Sequence, residues 1–169
     1  MKKLAYNRMA YDALEQLKKG AFLTTSSNGE VNTMSIAWGN IGFMWQKEVF
    51  TVMVRPSRHT YSLIEQSDNF TVSIPIYEDL SKQIRYCGTT SGKDENKIKN
   101  LGLQLKPSQV VETPIIGECS LHYECRIIAS QALTPASLDK EIKGKSYGQG
   151  DYHTLYYGEI VACYLTTEN

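Results

Sequence analysis

The sequence predicts a mainly β, α+β domain: an antiparallel sheet that closes or nearly closes into a barrel, with helices at its periphery. Three observations predict it. Runs of strand length, rich in β-branched and aromatic residues, recur from Ala21 to Leu165. An Asn28-Gly29 dipeptide, suited to the positive-φ turn of a hairpin, separates the first two of them. The regular alternation of strand and helix that marks a doubly wound parallel sheet is missing. Closure also removes exposed strand edges.

The elements follow in order. Tyr6 to Lys19 reads as a helix: Tyr6, Met9, Ala10, Ala13, Leu14 and Leu17 recur at three- and four-residue spacing, and Gly20 stands where a stop belongs. Ala21 to Ser26 and Val31 to Ala37 form the hairpin strands. Glu48 to Val54 is a third strand and Phe70 to Ile76 a fourth. Between them, His59 to Gln66 is a short helix started by Pro56 and Ser57. Asp79 to Tyr86 and Asp94 to Leu101 are further short helices, stopped by Gly88 and Gly102. Leu121 to Leu133 is a long β run broken by Pro135, and His153 to Leu165 is the last strand. Thr134 to Tyr152, with Gly144, Gly148 and Gly150, is a surface loop with one helical turn at Ser137 to Ile142.

Size and charge bound the function. The 169 residues make one domain, residues 1–169, with an N-terminal helical part over 1–19 and the barrel over 20–165. Lys plus Arg equals Asp plus Glu at 18 each, and no basic run occurs. Nucleic acid and anionic membrane surfaces are therefore not expected partners. The start, Met1-Lys2-Lys3, continues into an amphipathic stretch rather than an apolar signal core, and no window reaches membrane-spanning length. With four cysteines (Cys87, Cys119, Cys125 and Cys163), the expectation is reduced thiols in a cytoplasmic protein.

Several stretches carry candidate chemistry. Gly88-Thr89-Thr90-Ser91-Gly92-Lys93-Asp94 falls short of a nucleotide-binding P-loop, because the glycine spacing is one residue short and Asp94 replaces the magnesium-holding hydroxyl. It reads either as a turn offering backbone N–H groups and Lys93 to a phosphate or as a solvated loop. No Gly-x-Gly-x-x-Gly follows a strand, so a Rossmann unit is excluded. Cys119, His122 and Cys125 do not share one strand face, and buried thiols as apolar fillers suit them better than a metal site. Arg55-Pro56-Ser57-Arg58-His59-Thr60 crowds two guanidinium groups and two hydroxyls at a helix start. That is either an anion grip or an ordinary cap with surface arginines. Asn32 to Trp38 is a strand polar on both faces, which fits a ligand-lining strand or a sheet with one wet face. His153 is either a surface residue or a hydrogen-bonding partner at a site mouth.

Together, five segments are similar to the flavin reductase-like, FMN-binding split-barrel family, and especially to its flavoredoxin-like branch. They are Asn32 to Trp38, Val54 to Tyr61, Ser91 to Asp94, Pro114 to Cys125, and His153 to Ile160, in the family's order and within residues 20 to 163. The resemblance implies an antiparallel, Greek-key-like split barrel, a homodimer, and non-covalent FMN near the subunit interface. By position it implies that Arg55, Ser57, Arg58 and Thr60 hold the phosphate, assisted by Ser91 and Lys93. Asn32, Thr33, Met34 and Ser35 would run beside the ribityl chain and ring, with Trp38 close to the ring. His153 matches a histidine at the flavin face, where a nicotinamide approaches. Many relatives carry arginine where this chain has Lys93, and lysine cannot make a bidentate phosphate contact. The loop Thr134 to Tyr152 varies in such families, so no partner is inherited from it. The implied reaction is reduction of bound FMN by NADH or NADPH, with electrons passing to free flavin, a metal complex or a redox protein. Its rivals are a flavoredoxin-type carrier not reduced by nicotinamide and a non-enzymatic ligand-binding barrel.

Overall fold

A computed structural model describes residues 2–166; Met1 and residues 167–169, the ends of the expected single domain, lie outside the described residues. The strands are β1 (Lys2–Lys3), β2 (Ala21–Ser27), β3 (Glu30–Ile36), β4 (Gly39–Met44), β5 (Lys47–Val54), β6 (Asn69–Ile74), β7 (Leu105–Lys106), β8 (Ile115–Ile116), β9 (Leu121–Ala132) and β10 (Thr154–Leu165). The helices are α1 (Ala10–Leu17), α2 (His59–Ile64), α3 (Ser81–Thr89), α4 (Lys97–Leu101) and α5 (Lys140–Ser146). The main sheet runs β3-β2-β6-β9-β10-β5-β4, with β1 also on β10 and every pairing antiparallel.

The edge strands explain the shape. β3 and β4 lie at opposite ends of the strand order, yet only Ala37 and Trp38 join them in the chain. A two-residue link spans no more than a few strand widths, so the sheet must curl until its two edges meet at that joint. The edges do not pair, and the result is a split barrel rather than a closed one. Bulges between Tyr157 and Gly158 and between Ile160 and Ala162 help β10 bend. A Cβ on Gly158 would sit 2.5 Å from Phe70 Cζ and 2.6 Å from Cys125 Cβ, so only glycine lets the Phe70 ring cross there.

Alternation along β2 splits the core. Leu23 faces the barrel interior with Val52, Phe70, Val72 and Tyr123, where the Phe50 and Tyr123 rings meet edge to face at 5.2 Å. Phe22 faces outward into a second cluster with Leu80, Ile84, Leu103 and Ile116. Both rows are shielded from water, and each fully buried Phe or Leu contributes on the order of 2 kcal/mol. The second cluster draws α3 onto the outside of β2 and β3, which positions the site described below.

Several boundaries differ from expectation. β4 was not expected: its Gly39, Gly42 and absence of alternation hide it, and its turn to β5 uses Trp45 and Gln46 at positive φ (51° and 59°) without a glycine. Pairing with β5 stabilises it. Helix α1 starts at Ala10, because Tyr6 to Met9 form turns without a capping side chain. Gly88 does not stop α3, which continues to Thr89. Gly102, at φ 65°, does end α4. The loop 134–152 is more ordered than expected. Its helix is Lys140–Ser146 rather than a turn at Ser137 to Ile142, because the Asp139 carboxylate accepts from the Glu141 and Ile142 N–H groups and sets the start. All four cysteines are free and buried. His122 is fully buried, with Nδ1 on Ser73 Oγ and Nε2 on the Cys119 carbonyl. Among the described residues no helix is long and apolar enough to cross a membrane.

Candidate functional site

Two clefts open side by side where the barrel is split. The first, about 240 Å³, lies between β3, the turn 57–60 before and into α2, the segment 87–92 that ends α3, and Lys97 of α4. The second, about 190 Å³, continues from it toward Trp38, Met53, Arg55 and His153. They share Met34, Ser35, Ala37 and Arg58. Because β3 is an edge strand, residues from both of its faces reach the clefts.

Close packing in the first cleft depends on two glycines. A Cβ on Gly88 would lie 2.4 Å from Ser35 Oγ, and one on Gly92 would lie 2.2 Å from Asn32 Oδ1 and 2.8 Å from His59 Cδ2. The backbone of 88–92 therefore approaches β3 and α2 more closely than any side chain permits. Asn32 is fixed by donating from Nδ2 to Thr60 Oγ1 at 2.7 Å, and both residues are buried. Ser91 Oγ accepts from the Lys93 N–H at 3.2 Å.

Lys97 is the main residue that sequence reasoning missed. It is 4% exposed, and its ammonium donates to the Cys87 carbonyl at 3.3 Å. It joins none of the ion pairs among the described residues. Burial lowers its pKa, against a smaller upward pull from the Cys87 thiol, and the Arg58 guanidinium adds to the lowering. A buried cation short of counter-charge, beside hydroxyls and a second cation, forms a donor set that suits an anion. The one signal in the sequence is that Lys97 precedes Leu101 by a helical turn and so shares its inward side. His59 also lines this cleft. Its Nε2 stands 2.6 Å from Glu30 Oε1, and its Nδ1 is buried without a partner.

The second cleft is more apolar. Met34, Ile36, Trp38 and Met53 line it. Trp38 remains 48% exposed, with its ring 5.4 Å from that of His153. His153 is buried, and Tyr147 Oη lies 2.7 Å from its Nδ1. Burial, helped by the Arg55 guanidinium, pushes the His153 imidazole down to about 4, so the ring is neutral at ordinary pH.

The other expected residues divide. Met34, Ser35, Arg58, Thr60 and Ser91 line the first cleft together with Asn32. Arg55 and Ser57 stand at the site but are engaged by the chain itself. Arg55 donates to the carbonyls of Ser146 (2.8 Å) and Asp151 (3.0 Å) and lies over the Tyr147 ring at 5.0 Å. Ser57 donates from both N and Oγ to the Asp151 carboxylate. Thr33 lines neither cleft, although it shares a strand face with Ser35: it is buried against β2, where its Oγ1 donates to the Leu23 carbonyl and accepts from Thr24 Oγ1. Lys93 lines neither cleft; it borders an adjoining cavity with Glu30, Asp94 and Glu95, which shares Asn32, Gly92 and Lys97 with the first cleft.

The chain and its fold resemble those of known proteins. A family model described as "Flavin reductase like domain" matches residues 16–169. The chain is 34% identical over 140 residues to an uncharacterized protein of Archaeoglobus fulgidus, covering 83% of this chain and 68% of that one. It resembles the crystal structure of flavoredoxin from Methanosarcina acetivorans (TM-score 0.67, 25% identity, 86% of this chain and 67% of that one). It also resembles flavoredoxin of Desulfovibrio vulgaris (Miyazaki F) (TM-score 0.68, 26% identity, 87% and 69%).

Proposed function

This chain belongs to the flavin reductase-like domain family, and from that premise we propose that it binds FMN and acts as an oxidoreductase. In this reading NADH or NADPH supplies the electrons, and free flavin, a metal complex or a redox protein receives them. The observation that carries the proposal is the pair of joined clefts: a cationic, hydroxyl-lined one running into an apolar one, with Arg58 on both. That order of surfaces matches a phosphate tail followed by an aromatic ring system. The orphaned His59 Nδ1 and the unmatched Lys97 charge support it, since both leave polar capacity that a phosphate would use.

The residues would divide the work. Arg58, Thr90, Ser91 and Lys97 hold the phosphate, and Thr60 orients Asn32. Met34 through Trp38, with Met53, exclude water from the ring. Bound FMN would supply hydride and single-electron chemistry, while the protein contributes position and field. His153 marks the mouth where a second molecule enters. We also propose a homodimer in a reducing, cytoplasmic setting. The exposed aromatic face of Phe43 and Trp45, the latter packed edge to face on Tyr157, suits a second copy, and the free thiols suit the compartment.

The test is the visible spectrum of the purified protein, followed anaerobically after adding NADH or NADPH. A flavin spectrum that bleaches rapidly supports the reductase reading. Likeness to two flavoredoxins favours a second reading, an electron carrier, and a flavin that only a reduced protein bleaches would establish it. A colourless protein that takes up no FMN would overturn both.

A further inference from the structure

The end of the loop 134–152 is tied to the barrel by hydrogen bonds from Arg55 and Ser57. Arg55 grips its backbone at Ser146 and Asp151, Ser57 grips the Asp151 carboxylate, and Tyr147 stacks on Tyr152 with centroids 4.9 Å apart. These contacts seat Tyr147, 4% exposed, against His153.

The hydroxyl there lies 2.7 Å from His153 Nδ1, the acceptor within its reach among the described residues, while the His153 backbone N–H also interacts with its oxygen. A phenol carries one proton that must be donated, and a buried O–H without an acceptor costs about 1–3 kcal/mol. The neutral imidazole has one acceptor nitrogen and one N–H. If Nδ1 carried the proton, the Tyr147 O–H would have nowhere to go. If Nδ1 is the acceptor, both groups are satisfied and the imidazole proton sits on Nε2. That nitrogen has no protein partner among the described residues and is not among the buried unpartnered atoms. The ring carrying it lines the apolar cleft.

We infer that Tyr147 is a positioning residue that holds His153 as a neutral imidazole with its proton on Nε2, a hydrogen-bond donor to the carbonyl or carboxamide oxygen of a molecule entering the apolar cleft. The identity of that molecule rests on the flavin reading above; the tautomer does not. The charged groups around the ring agree. Arg55 and Arg58 disfavour an imidazolium, and Asp151, which favours it, is engaged by Ser57. Arg55 and Ser57 thus serve the site through the loop: they seat the tyrosine that sets the histidine.

The test is two-bond ¹H–¹⁵N NMR of the imidazoles in the full chain as purified, with His153→Gln used to assign the signal. At pH 7 the wild type should show an unprotonated Nδ1 and a protonated Nε2. Tyr147→Phe should average the two nitrogens toward intermediate shifts. It should also lower kcat/KM for the electron donor by about tenfold, the worth of one hydrogen bond, with FMN content unchanged. A wild-type spectrum with the proton on Nδ1, or a charged ring at pH 7, overturns the inference even if the variant does not fold. A variant whose tautomer matches the wild type also overturns it. Absorbance of the same samples keeps the two readings apart: absent flavin sinks the proposed function and leaves the tautomer result standing.

Discussion

The Ser57 hydroxyl donates to the Asp151 carboxylate at 2.6 Å, so the turn before α2, which reads as a phosphate grip, already holds an anion from the same chain. The Ser57 N–H adds a second bond, and Arg55 Nη1 lies 4.0 Å from the same carboxylate. Asp151 itself sits at φ 55°, a left-handed conformation that aspartate tolerates better than most residues.

Removing that charge should loosen the loop and strengthen anion binding beside it. Asp151→Asn keeps shape and backbone preference but weakens the grip of Ser57 and Arg55. Limited proteolysis should cut within 134–152 several-fold faster than in wild type. FMN affinity, read by fluorescence quenching, should rise by a few-fold because one negative charge near the cationic cleft has gone. An unchanged cleavage rate would show that the loop does not depend on this contact.

Lys97 should matter for the ligand more than for the fold. Lys97→Met fills the same space without a buried charge. FMN affinity should fall on the order of 100-fold, about 3 kcal/mol for a charge-assisted contact. The ligand-free protein should melt at the same or a higher temperature, because burial disfavours the ammonium. The sign follows from linkage. A folded-state pKa below the ordinary lysine value means that the unfolded chain binds the proton more tightly. The wild type should therefore gain stability as pH rises toward ~10.4, and the variant should lose that gain. Equal FMN affinity in the two proteins would remove Lys97 from the site.

Acid should destabilise the fold through two histidines. Burial pushes both His122 and His153 down to about 4. Unfolded, each titrates near ~6.5. Between those values the unfolded chain binds protons that the folded chain refuses, so stability present above ~6.5 is lost as pH falls toward 4. For His122, which is fully enclosed, the loss is on the order of 2–3 kcal/mol. Urea midpoints across this range should fall steeply in wild type and more gently in His122→Gln, even though the variant starts lower after losing its bonds to Ser73 and Cys119.

Gly92 should not tolerate even a methyl group. With Asn32 Oδ1 at 2.2 Å from the added carbon, Gly92→Ala must displace an asparagine already committed to Thr60. A loss of about 1–2 kcal/mol in thermal stability should accompany weaker FMN retention. Gly144→Ala, where an added Cβ meets nothing within 4 Å, is the control and should cost neither.

Local signals account for what the chain makes plain by itself. The Asn28-Gly29 turn, the strand-length runs around Phe70 and Tyr123, and the cluster Arg55 to Thr60 are all short-range patterns, and the structure places each in the element expected. β4 was hidden because its stability comes from β5 rather than from its own residues, and no local rule registers a partner strand. The same limit governs the site. In the sequence, Arg55, Ser57 and Lys93 stand out as phosphate-holding cations and hydroxyls, whereas Lys97 is passed over. Only the tertiary structure decides that α3 and α4 fold over β3, which turns Lys97 inward, leaves Lys93 beside another cavity, and lets the distant Asp151 claim Ser57. A side chain's charge is written in the sequence; what it faces depends on segments far along the chain, and that is settled by packing.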